Sequence, residues 1–213
     1  PSFRKKGRDM HRIILASQSP RRREILRQIG IEAEIIPSAL KEERDTDDPE
    51  ELVRKLSFQK AADVAARVKG EALVIAADTV VHLEGEILGK PGDHREAGEM
   101  LRKLSGKTHY VYTGVSLILL PEDGAENQKL PLSERAGVKK LGFTERTEVS
   151  ICRLTEEEIR DYAESEEPMD KAGAYGIQGV FSRYVRGING DFYNVMGLPA
   201  SHLYHMMKRI EQL

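Results

Sequence analysis

The chain has 213 residues, enough for one large domain or two lobes that bury roughly 70% of the unfolded surface. Its 33 Lys and Arg against 35 Asp and Glu leave a net charge of −2, which excludes a general pull toward nucleic acid or an anionic membrane, so any anion binding must be local. A lone cysteine, Cys152, excludes a disulfide framework and points to a reducing, cytoplasmic compartment, and no apolar run approaches the roughly 18 residues that span a bilayer. In chain order, residues 1–11 are basic but precede only a short apolar run, so they read as a frayed or appended tail and not a secretory signal. Residues 12–213 are then expected to form a single domain.

Ile13 to Ser17 reads as a buried strand, with Ser17, Gln18 and Ser19 as a turn and Pro20 just inside a helix start. Arg21, Arg22 and Arg23 follow at once. Cations in a first helical turn oppose the helix dipole, by a few tenths of a kcal/mol or more each, unless an anion binds there. A phosphate site would produce that conflict; so would an exposed basic helix start with Pro20 as an ordinary initiator. Gly30 suits a C-terminal cap, Ile31 to Ile36 a second strand, and the charged stretch from Ser38 to Asp48 a mobile flap whose Glu42 and Glu43 matter if it folds over a metal. Asp48, Pro49 and Glu51 open a helix expected to run to about Lys69. On it Lys60 shares a stripe with Leu56 and Val64, so its ammonium either snorkels to solvent or meets a phosphate.

Glu71 to Ala77 carries an apolar run of strand length, expected to be central and to end at Asp78-Thr79. A carboxylate at such an end sits where α/β proteins place chemistry; the alternative is that it caps a turn. A hairpin about Glu84-Gly85 would return Lys90 to the neighbourhood of Asp78, where it suits a polyphosphate or a plain surface ion pair. Asp93 and Glu96 open a helix ending near Leu104, His109 to Leu120 is β-rich, and Pro121 to Gly142 reads as a hairpin tip or a disordered stretch. Phe143 to Arg153 resumes strand character, with Cys152 as a small packed side chain, before a helix capped by Thr155 and Glu158. Glu166 to Gly179 holds Gly173, Gly176 and Gly179, which would admit a ligand close to the backbone, beside Asp170 and Lys171. Asn189-Gly190-Asp191 is a turn, and Pro199 begins a last helix with a stripe of Leu203, Met206, Met207 and Ile210. Alternating helices and strands predict an α/β domain.

The stretches ASQSPRRREIL, FQKA, ADTVV, GKP, SGKTHYVYTGV and EPMDKAGAYGIQG, in this order, closely resemble the Maf family of nucleotide pyrophosphatases from Ile13 to Ile210. The resemblance implies a mixed central β-sheet flanked by helices in two lobes with a cleft, similar to the inosine triphosphate pyrophosphatases. It implies hydrolysis of a nucleoside triphosphate to monophosphate and pyrophosphate, with a divalent metal (Mg2+, Mn2+ or Co2+) and a homodimer. By position, Asp78 matches the general base; Ser17, Arg21, Arg22, Lys60 and Lys90 the phosphate-binding set; Arg21, Thr79 and Gln178 the positions choosing the base. Glu42 with Asp78 would hold the metal, Lys41 standing where the family's flap usually has Asp. The GAYGIQG form resembles the subfamily acting on dTTP and UTP. Other readings are 7-methyl-GTP or non-standard purine triphosphates as substrates, a non-enzymatic regulator of septum formation, or an oligonucleotide binder using Arg21 to Arg23, which the balanced charge disfavours.

Overall fold

A computed structural model describes residues 12–122 and 130–213. The expected tail at 1–11, and the centre of the expected hairpin tip at 123–129, lie outside the described residues. The described elements are β1 (Arg12–Leu15), α1 (Pro20–Gln28), β2 (Glu34–Ile35), α2 (Pro49–Arg67), β3 (Ala72–Leu83), β4 (Glu86–Leu88), α3 (His94–Leu104), β5 (Thr108–Leu120), β6 (Lys139–Ile151), α4 (Glu156–Ala163), β7 (Val185–Asn189), α5 (Phe192–Met196) and α6 (Ala200–Gln212). They build one mixed sheet in the order β2-β1-β3-β5-β6-β7, with β4 folded back on β3. Strand β1 pairs parallel with β2 and β3, while β3, β5 and β6 pair antiparallel.

β3 is the axis of the molecule, and its pleat divides the core. Leu73, Ile75, Ala77 and Val81 face a large cluster with α1, α3, α4 and α6. Ala72, Val74, Ala76 and Val80 face α2, whose Leu52, Val53, Leu56, Ala61, Val64 and Ala65 are buried against them. Successive side chains on a strand alternate between faces, so this long apolar run serves two helical layers at once.

The expected end of that strand at Asp78-Thr79 is not where the strand stops. β3 runs on unbroken to Leu83, because its partner β5 continues opposite it, with Asp78 facing Gly114 and Thr79 facing Thr113. What ends is the neighbour on the other side: β1 pairs with β3 from Arg12 and Ala72 only as far as Leu15 and Ile75 before the chain turns into α1. Asp78 and Thr79 therefore lie just beyond the carboxyl end of β1, where a crevice opens in the sheet. The hairpin to β4 is as expected, with Glu84 at φ 51 and Gly85 at φ 88 supplying the two left-handed residues of a tight turn.

Other boundaries differ modestly. The expected strand over Ile31 to Ile36 shortens to Glu34–Ile35, and α2 stops at Arg67 and not near Lys69. Cys152 lies just past β6, donating its N–H to the Tyr184 carbonyl. The turn at Asn189-Gly190-Asp191 sits between two elements the sequence reading omitted, the edge strand β7 and the short helix α5, whose N-cap is Asp191. Among the described residues no helix is long and apolar enough to cross a membrane.

Candidate active site

Asp78 is an even-phase residue of β3, so it projects to the α2 face together with Val74 and Val80. α2 approaches the sheet closely there because β5 carries Gly114 opposite Asp78; a Cβ on Gly114 would stand 2.3 Å from the Val53 carbonyl oxygen. Along α2, Lys60 follows Leu56 by one turn, and its side chain is only 14% exposed. Its ammonium donates to Asp78 Oδ1 at 2.5 Å and lies 2.6 Å from Glu42 Oε1, so one cation is held between two carboxylates. The stripe position of Lys60 thus resolves into a buried partner and not a route to solvent. Burial works against the charge of Glu42, but Lys60, with Lys90 and Arg22 further away, holds its carboxyl below the usual value.

Glu42 reaches Lys60 because the stretch from Ser38 to Asp48 lies along α2 and is tied to it. Ser38 Oγ and the Ala39 N–H donate to Asp63, Asp45 pairs with Lys55, and Asp48 caps the helix by accepting from the N–H groups of Glu50 and Glu51. These contacts tie to α2 a stretch that has no helix or strand and is exposed over most of its length. Arg44 from the same stretch rests against Gly89 and lines the cleft, a contribution no sequence motif signalled.

Thr79 has the opposite phase and faces α1 and α5. Arg22 supplies the link: its Nη2 donates to Thr79 Oγ at 3.1 Å, its Nη1 to Ser17 Oγ at 3.1 Å and its Nε to the Gly197 carbonyl at 2.8 Å. Burial pulls the guanidinium below its ordinary value and Asp78 pulls it back; Arg remains a cation throughout. Arg21 instead crosses the cleft to Asp170, 2.7 Å from Nη1 to Oδ2. The arginines that oppose the α1 dipole are thereby drawn onto acceptors within the chain. Arg23 is exposed and turned away from this cleft.

The far wall is the stretch from Glu166 to Gly179. Its glycines make room for the chain itself: a Cβ on Gly173 would meet Val81 at 2.8 Å, and one on Gly179 would meet the Glu167 carboxylate at 2.0 Å. A Cβ on Gly176 would likewise meet Lys171 at 2.7 Å, so all three glycines accommodate the chain's own packing, and Gly176 and Gly179 also line the cleft. Glu167 organises the wall by accepting from the Tyr162 hydroxyl and the Val180 N–H, and Lys171 donates to the Glu167 carbonyl and to Asp170. Ser17, Arg21, Arg22, Glu42, Lys60, Asp78, Thr79, Lys90 and Gln178 all line one cleft of about 830 Å³. Among the described residues no group of three or more His, Cys, Asp and Glu converges on a point. Glu42 and Asp78 do converge on one ammonium, which is the donor set expected for a hard cation that completes its shell with phosphates and water.

A mixed α/β sheet interrupted at one strand end, with an acid, a lysine and two arginines around the gap, defines an anion-binding α/β protein whose crevice lies beyond that strand end. The chain belongs to the Maf family: the model described as Maf-like protein matches residues 12–210. A dTTP/UTP pyrophosphatase of Agathobacter rectalis is 44% identical over 213 residues, covering 94% of this chain and 98% of its own. One of Carboxydothermus hydrogenoformans is 48% identical over 197 residues, 92% of this chain and 97% of its own. A HAM1 protein of Coxiella burnetii is 21% identical over 68% of this chain and 75% of its own, with a TM-score of 0.40, too loose a likeness to argue from.

Proposed function

We propose that the protein hydrolyses dTTP and UTP at the α–β phosphoanhydride, giving the nucleoside monophosphate and pyrophosphate. The observation that carries this reading is the Asp78–Lys60–Glu42 contact in a cleft that also holds Arg21, Arg22 and Lys90. Splitting a phosphoanhydride demands charge stabilisation on several oxygens and one oriented water, and little covalent work from the protein. Arg22 and Lys90 neutralise the triphosphate, and Arg21 joins them by exchanging Asp170 for a phosphate oxygen. Asp78 accepts a proton from the water as its oxygen bonds to the α-phosphorus and the bridging oxygen leaves with pyrophosphate. Lys60 keeps the Asp78 carboxylate aimed into the cleft. Thr79 and Gln178 meet the pyrimidine edge.

Glu42 and Asp78 are the residues that would hold a divalent cation, which when bound would draw charge from the phosphate oxygens and acidify a water. The names of the A. rectalis and C. hydrogenoformans relatives support the substrate assignment. We propose a homodimer as the assembly, to be read by sedimentation. Measuring pyrophosphate release from dTTP, UTP, CTP, the purine triphosphates and 7-methyl-GTP, each with magnesium, manganese or cobalt, tests the function. dTTP and UTP should lead, and Asp78→Asn should lose at least about a thousandfold in kcat, the scale of a positioned acid–base group, while melting like the parent. Near-normal turnover by that variant would refute the role of Asp78.

A further inference from the structure

Behind the cleft, out of contact with it, lies a run of hydroxyl and amide groups that the proposed chemistry does not use. Thr113 is fully buried on β5 opposite Thr79, and their Oγ atoms are 2.9 Å apart. Thr113 Oγ also donates to the Asn194 carbonyl at 3.2 Å. Asn194, itself fully buried, is pinned by its amide to the Val111 carbonyl and Thr147 Oγ, and Thr147 both donates to the Asp191 carbonyl and accepts from the Asp191 N–H. α5 is thus fastened to β5 and β6, and with it the two carbonyls, Asn194 and Gly197, that Thr113 and Arg22 use.

The direction of every proton in this chain follows from elementary rules. A guanidinium only donates, so Thr79 Oγ accepts from Arg22; a carbonyl only accepts, so the one hydrogen of Thr113 goes to Asn194. Thr113 Oγ must then accept, and the hydrogen on Thr79 points to it, away from the cleft. What Thr79 offers the cleft is a lone pair. A fixed acceptor repels a phosphate oxygen and rewards an N–H donor. Uracil and thymine carry an N–H at ring position 3, whereas cytosine carries a lone pair there.

We propose that Thr113 is a positioning residue that locks the Thr79 hydroxyl as an acceptor, and that this polarity selects pyrimidine bases bearing a ring N–H over cytosine. It rests on the reading of Thr79 as facing the base. The test compares kcat/KM for UTP and CTP in the parent, Thr113→Val and Thr113→Ser. Thr113→Val frees the Thr79 hydrogen to turn into the cleft, so the UTP:CTP ratio should narrow by about tenfold, the worth of one hydrogen bond. Thr113→Ser should restore the parental ratio. If Thr113→Val does not fold, Thr113→Cys, with a thiol that is a weak donor and acceptor, carries the same comparison.

An unchanged ratio in a folded Thr113→Val, with both substrates slowed equally, overturns the proposal, because Thr113 would then serve packing alone. A parent that prefers UTP while the variant keeps its ratio sinks this inference alone. A parent that hydrolyses no pyrimidine triphosphate sinks the functional reading and this one with it.

Discussion

Lys60 sits between two carboxylates that would otherwise repel each other, in a place with little water. Removing one partner of a buried pair leaves uncompensated charge, so Lys60→Met should cost roughly 2 to 3 kcal/mol, reduced because Glu42 is half exposed. A divalent cation should restore part of it. The measurement is the melting temperature of parent and variant with and without magnesium, and a variant that gains nothing from the ion would argue against two cooperating carboxylates. Lys60 was legible in the sequence because an ammonium on an apolar stripe demands an explanation. Thr113 was not, since threonine inside a β-rich run has an ordinary reason to be there, and its hydrogen-bond partners are far along the chain. Asn194 gave no signal at all: a single amide in a short helix acquires meaning only from the strands it is packed beneath.

At the scale of elements, the approach of α2 to the sheet decides whether Lys60 can touch Asp78. Gly114→Ala puts a methyl against the backbone at Val53, which cannot give way like a side-chain tip. The helix must lift, at a cost of about 1–3 kcal/mol for overpacking, and kcat should fall with stability because Lys60 moves with it. Urea unfolding and steady-state turnover of the same variant check both. The caps of α2, α3 and α4 could be read from Asp48, Asp93 and Thr155, since capping is a local bargain between a side chain and the next few N–H groups. The course of β3 past Asp78 could not, because a strand continues or stops according to the partner beside it, here β5. The contacts of the stretch from Ser38 to Asp48 were hidden for a related reason. Its charges look solvated when counted alone and become ties once Asp63, Lys60 and Lys55 are ranged opposite them.

For the molecule as a whole, pH also acts through a group outside the proposed chemistry. His109 on β5 is buried with its Nε2 2.8 Å from the Tyr175 hydroxyl, and burial lowers its pKa from 6.5 to about 4. Between those values the unfolded chain binds a proton that the folded chain refuses, so stability is full above pH 6.5, falls as the pH drops through the window and levels off near 4. The loss from this one group is on the order of 3 kcal/mol. Denaturant midpoints on either side of the window should converge in His109→Gln relative to the parent; an equal slope in both would assign the acid sensitivity elsewhere. The α/β class was legible from alternating strand and helix patterns, whereas the joining of the two core faces through one strand emerges only from pairing.

That joining has a consequence for how such a protein can change. Asp78 and Thr79 are consecutive, so a single peptide unit is all that separates the proposed proton acceptor from the residue proposed to meet the base, and no hinge can vary the span between them. Inserting or deleting one residue upstream in β3 would exchange the compartments of the two side chains and disable both tasks together. New substrates are therefore reached by altering what surrounds this doublet, never by sliding it.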